Sequence, residues 1–288
     1  MMNIEFRYSQ HYDLVLHALA YLKVNNASNL YSQQYIQKME QNKQSPKHDM
    51  PQHMRQLEEY YNDNFERLAV INFLPYYAYD YENMRNMFMN YQYFSPRDKT
   101  CFVDPFVKIL DAECTFFFDY WNSLHKSNES IRHIMEEKFK TELQKYSCIF
   151  DYYSKTAVVL FSYNTTRNGR GIFDNNSFSA LVPFPDDADK FNHSFIQLLH
   201  EYTHQFTDPL LKSNIQMKDG SHNLSESLVI LADYYLIKVL NDDFIKPYFQ
   251  WLSTYGVDPS ESNLHKLFPV NEGLTTELKK LIDNILLS

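Results

Sequence analysis

Apolar residues in the first half of the chain recur at intervals of three and four. Tyr12, Val15, Leu16, Leu19 and Leu22 form one series, and Leu57, Tyr60, Tyr61, Phe65 and Leu68 form another. That spacing lines one face of a 3.6-residue helix, so both stretches are predicted to be amphipathic helices buried on one side. Between them, Gln41 to Gln52 holds Gln, Asn, Lys, Pro46 and Pro51, which predicts an exposed loop joining two helical segments. From Val107 to Tyr153 the helical spacing resumes.

The pattern changes at Thr156. Ala157 to Tyr163 is a short β-branched and aromatic run, and Ser177 to Phe184 alternates Phe178, Ala180 and Val182 against Ser177, Ser179 and Leu181. Both are predicted strands, paired as a hairpin or adjacent in one small sheet. Asn164 to Asn176, rich in Asn, Thr and Gly with the turn signal Asn168-Gly169, is expected to be the loop between them. Pro183 and Pro185 end the second strand, and Asp186, Asp187 and Asp189 offer caps for a helix that follows. The expected fold class is α+β, mainly α. A single domain over 1–288 is expected, mostly helical over 1–153, with a small mixed sheet and further helices over 154–288.

Composition narrows the functional classes. With 288 residues, 44% hydrophobic and 22% charged, the chain can bury a core without disulfides. Five glycines argue against Gly-rich phosphate loops, and a net charge of −9 disfavours a nucleic-acid backbone or an anionic membrane as partner. Cys101, Cys114 and Cys148 fit neither a C-x-x-C pair nor a disulfide framework, so reduced thiols in the core are expected. No run of about 18 apolar residues occurs. Met1 to Tyr8, with Glu5 and Arg7, lacks the pattern of a secretory signal, so the expected location is cytoplasmic.

The chemistry lies in His200-Glu201-Tyr202-Thr203-His204, an H-E-x-x-H motif within an apolar helical stretch that includes Phe195, Leu198, Leu199 and Phe206. Two histidines four apart stand one turn from each other on one helix face, so both imidazoles can reach a single Zn²⁺. Glu201 is displaced around the helix and can take the proton of a water polarised by the metal, which makes a nucleophile at neutral pH. The competing reading is an amphipathic helix whose histidines bond other core groups.

A zinc site with one open position needs a third protein ligand. Asp208-Pro209 is expected to end the helix, and no third histidine follows at short spacing, so a downstream acid is required. Glu226 is the best candidate, near the start of a second apolar helix running to about Leu240. Asn223-x-x-Glu226 also fits a capping box, which would give Glu226 a local role instead. Asp233 is the alternative ligand, or a carboxylate that orients one of the imidazoles. Tyr234, Tyr235, His222, Tyr255 and Arg170 are all conceivable donors to a developing oxyanion.

The run from Leu198 to Leu210, LLHEYTHQFTDPL, is similar to the H-E-F-x-H-x-F-x-x-P-L block of a bacterial family grouped with the zinc peptidases as a domain of unknown function, with Tyr202 where that block has Phe. The opening, with an early helix after Arg7 whose apolar residues run from Leu14 to Leu22, followed by Tyr31-x-x-x-Tyr35, resembles it as well. The resemblance implies a zincin metallopeptidase of the gluzincin kind. In such a protein His200, His204 and a downstream Glu hold zinc, Glu201 is the catalytic acid/base, and an edge strand above the motif helix aligns an extended peptide or protein substrate. An inactive zincin-like scaffold that binds a peptide is the alternative from a different functional class, and the intact Glu201 speaks against it.

Overall fold

The three-and-four spacing of apolar residues is realised as helix in the computed structural model, which describes residues 3–22, 33–42, 50–153, 156–165, 169–174, 177–214 and 221–287. The fold is mainly helical with one small mixed four-stranded sheet. The chain divides into two compact units: Tyr8–Ser130 with Ser162–Asn168, and Met1–Arg7 with Ile131–Phe161 and Gly169–Ser288.

The first unit is helical. Ser9 caps the Gln10–Leu19 helix by accepting from the Tyr12 amide. The Tyr12, Val15, Leu16 and Leu19 face of that helix is buried against the Asp104–Ser127 helix, which contributes Phe106, Phe117 and Trp121. One acid lies on the buried face as well. Asp13 is 1% exposed and accepts from Trp121 Nε1 at 2.8 Å, from the Tyr163 amide at 3.1 Å and from the Ser162 hydroxyl. Three donors offset the cost of burying a carboxylate and tie residues 162 and 163 to this helix. Burial nevertheless pushes the Asp13 carboxyl up to about 6.

Helices Gln33–Asn42 and Met50–Asp63 flank the expected loop and trim it from both ends; residues 43–49 lie outside the described residues. Pro51 falls in the first turn of the second of these helices, where its missing N–H has no intrahelical partner to lose. The cysteines are unpaired but only half-buried, so they are not the core residues the sequence suggests.

The second unit carries the sheet, made of β1 (Asn3–Tyr8), β2 (Thr156–Ser162), β3 (Arg170–Asp174) and β4 (Ser177–Pro183) in the order β1-β2-β4-β3. The two expected strands are β2 and β4, which are adjacent and buried along most of their length. The expected loop between them contains β3, an edge strand hydrogen-bonded antiparallel to β4 with Arg170 opposite Leu181 and Gly171 opposite Ala180. Its Arg-Gly-Ile-Phe-Asp sequence has no two-residue alternation to betray it; pairing with β4 creates the strand. β1 is likewise absent from the expectations.

Helix Ala188–Asn214 packs on β3 and β4. Asp187 caps it, with its carboxylate accepting from the Lys190 amide at 2.8 Å and its carbonyl from Phe191 N at 2.9 Å. The helix does not stop at Asp208-Pro209. It runs through Pro209 to Asn214, although an internal proline costs about 3 kcal/mol. Beyond the proline Leu211 is buried, and packing of this kind offsets the lost hydrogen bond. Helix Ser221–Leu240 lies against the motif helix and buries Leu228, Val229, Leu231, Leu236 and Ile237. Helices Ile245–Ser253 and Glu272–Leu287 pack on both of them. Among the described residues no helix is long and apolar enough to cross a membrane.

Candidate metal centre

His200 and His204 project from one face of the motif helix with ring centroids 5.2 Å apart and planes at 87°. Glu226, from the neighbouring helix, reaches both rings. His200 Nε2 lies 3.3 Å from Glu226 Oε2, and His204 Nε2 lies 3.6 Å from Glu226 Oε1. One ligand atom from each of the three residues falls within 4.8 Å of the others. Donor atoms at ~2.0–2.1 Å from a tetrahedral zinc are themselves ~3.3 Å apart, and the two His–Glu226 separations of 3.3 and 3.6 Å lie close to that spacing.

The capping alternative for Glu226 fails on position. The helix is already formed at Ser221, which places Asn223 inside it rather than at its N-cap. Glu226 therefore has no local amide to serve, and it turns toward the two histidines.

The far nitrogen of each ring is also committed. His200 Nδ1 is 2.9 Å from Asp233 Oδ2, and His204 Nδ1 is 3.3 Å from Asp208 Oδ1. Ser225 donates to the same Asp208 oxygen at 2.7 Å. A carboxylate on Nδ1 fixes the tautomer with its proton there and turns the Nε2 lone pair outward, the arrangement metal-ligating histidines commonly have. Asp233 thus stands behind His200 rather than beside Glu226. Asp208 is a residue the sequence reading missed. Its signal was the four-residue step from His204, hidden by the expectation that the helix ends there.

Electrostatics point the same way. Burial disfavours charge on His200, but the carboxylates of Asp233 and Glu226 outweigh it and raise the ring to about 10. His204 is raised too, with Asp208 and Glu226 overcoming burial and the repulsion of His200. Glu226 and Asp208 are lowered against their own burial by the imidazoles they face. Carboxylates that raise both imidazoles make the pocket favour positive charge, which a divalent cation would supply as a proton does. The donor set of two imidazoles and a carboxylate fits zinc.

Glu201 lies off this triad, as its place in the helix requires. Its Oε2 accepts from the Gly171 amide of β3 at 2.8 Å, and its Oε1 from Gln197 Nε2 at 3.1 Å. The strand that reaches Glu201 is therefore β3, which was not expected from sequence, while Phe178 of the expected strand β4 packs edge-on against Tyr202 of the motif with ring centroids 4.7 Å apart.

The five proposed oxyanion donors scatter. Tyr234 accepts from Lys238 at 3.1 Å, and Tyr235 bonds His265 at 2.9 Å. Tyr255 stacks edge-on against Trp251, which in turn lies on His200. Arg170 is buried on β3. His222 is exposed, with Nδ1 3.7 Å from Glu226 Oε1, and so touches the triad.

No protein-family model, curated protein or solved structure matches this chain.

Proposed function

We propose that the chain is a zinc-dependent metallopeptidase of the gluzincin kind, with a zincin-like arrangement of sheet and motif helix, acting on a peptide or protein substrate. The observation that carries this reading is the double orientation of the histidines: both Nε2 atoms converge on Glu226 while both Nδ1 atoms are held by carboxylates. A helix that merely buried two histidines would have no reason to aim both rings at one acid from another helix and to back each with a second acid.

His200, His204 and Glu226 would hold the ion, with Asp233 and Asp208 keeping the two rings turned toward it. A bound zinc supplies Lewis acidity, lowering the pKa of water toward about 7 and polarising a carbonyl. In this reading Glu201 carries the proton. One of its carboxylate oxygens takes the proton of the attacking water, and the resulting acid returns it to the departing amine nitrogen. The reaction class is thus addition of water across an amide, with Glu201 alternating as base and acid.

Two measurements test this on the full chain. Metal analysis after purification and dialysis should find about one zinc per chain, strongly reduced in His204→Ala and Glu226→Ala. Hydrolysis of an unfolded protein such as casein, or of a peptide library, should be lost in Glu201→Gln, by roughly 10²- to 10⁴-fold, with the metal retained. A wild-type chain that never holds zinc, or a Glu201→Gln variant with full turnover, sinks the reading.

A further inference from the structure

The Glu201 carboxylate is gripped from two sides, each oxygen taking one donor: the Gly171 amide at Oε2 and the Gln197 carboxamide at Oε1. Gln197 stands one turn before Glu201 on the same helix and is 3% exposed, so water does not compete for its amide protons. Gly169 closes a third side. A Cβ at that position would lie 2.7 Å from Gln197 Cγ and 3.1 Å from Glu201 Cγ, so the backbone just before β3 approaches this closely only because the residue has no side chain. Two of the chain's five glycines lie against the Glu201 side chain.

Gln197 is an unfavourable choice for packing alone. Its Oε1 is buried without a hydrogen-bond partner, and an unsatisfied buried acceptor costs about 1–3 kcal/mol. Methionine would fill the same space with no such orphan. What the glutamine provides is a single donor directed at Glu201.

We propose that Gln197 and the Gly171 amide are positioning groups that fix the orientation of the Glu201 carboxylate. Each carboxylate oxygen accepts one protein donor and keeps a second lone pair for the proton it must carry. Held this way, the side chain does not search rotamers during turnover, and its free lone pairs stay where water and the departing amine are to meet them. The inference rests on the reading of Glu201 as the acid/base of a peptidase. The hydrogen bonds themselves do not.

Two readouts separate the parts. Gln197→Met keeps length and volume without the donor, and Gln197→Glu keeps the shape but reverses the interaction. With the zinc-loaded full chain and a peptide substrate, both should lower kcat by about 10- to 100-fold while KM and zinc content stay at wild-type values. Unchanged kcat, or a change confined to KM, overturns the positioning role, and the Glu variant serves if the Met variant does not fold. Independently, glycine-selective isotope labelling of the metal-free protein reduces the amide spectrum to the chain's five glycines. The Gly171 signal, identified by its loss in Gly171→Ala, should move upfield in Glu201→Ala and shift in Gln197→Met, with the Gly256 and Gly273 signals unmoved. A Gly171 signal indifferent to Glu201→Ala overturns the cradle. If the wild-type chain shows no turnover, the peptidase reading falls and the glycine signal alone decides whether the cradle exists.

Discussion

Asp233 and His200 are joined at 2.9 Å through Oδ2 and Nδ1, although they come from different helices and stand 33 residues apart. Asp233 is wholly buried, and its other oxygen has no hydrogen-bond partner. A buried carboxylate with one bond is costly in a core, and the interaction that offsets the cost is with an imidazole whose opposite nitrogen faces Glu226. The same relation recurs between Asp208 and His204 at 3.3 Å, in a more open setting.

These two pairs differ in burial, and their effects on metal affinity should differ accordingly. Asp233→Asn, which weakens a buried charge-assisted bond, should reduce zinc affinity by about 10- to 100-fold; Asp208→Asn should reduce it less. Trp251 offers the readout, because its ring lies 5.3 Å from that of His200 and the chain has only two tryptophans. Cobalt(II) titration should quench part of the emission, and Trp251→Phe should remove the response. Equal affinities in both Asn variants and wild type would refute the orienting role of the carboxylates.

Asp13 makes the helical unit sensitive to pH. Its native pKa of about 6 stands above the ~3.9 of an unfolded aspartate, so between these values the folded chain holds a proton that the unfolded chain has lost. Its contribution is fully present below about pH 4 and disappears as pH rises through 6, a difference of about 3 kcal/mol. Urea unfolding of the full chain between pH 4.5 and 7.5 should therefore show a falling component that is missing in Asp13→Asn. Parallel pH profiles for the two proteins would reject it.

Gly169→Ala should destabilise the sheet unit by about 1–3 kcal/mol through overpacking, because the new Cβ would meet the Leu181 carbonyl oxygen at 3.0 Å as well as Gln197. Gly256→Ala probes a different cause. That glycine has φ of 82° and open space around it, so its penalty is backbone strain of about 1–2 kcal/mol with no effect on the metal site. Denaturation midpoints with zinc titrations on both variants distinguish crowding near Glu201 from strain remote from it.

Some of the site follows from local geometry and was therefore legible in one dimension. A four-residue step on an α-helix puts His200 and His204 side by side whatever surrounds them, and the same step carries Gln197 to Glu201 and His204 to Asp208. Of these three pairs only the first has a recognisable motif. The second is an ordinary Gln-to-Glu spacing, and the third is masked by Pro209, whose helix-breaking tendency is overridden by tertiary packing.

The amino-acid sequence by itself determined the helical periodicity, the two apolar strands β2 and β4, and the pair of histidines one turn apart, because each depends on residues close in the chain. Only the tertiary structure decided that β3 exists at all, that its Gly171 amide meets Glu201, and that Glu226 and Asp233 address opposite sides of His200. Those relations need two segments brought together by packing. A strand of weak β-propensity takes its form from its neighbour, and an acid on one helix gains its role from the imidazole it faces on another.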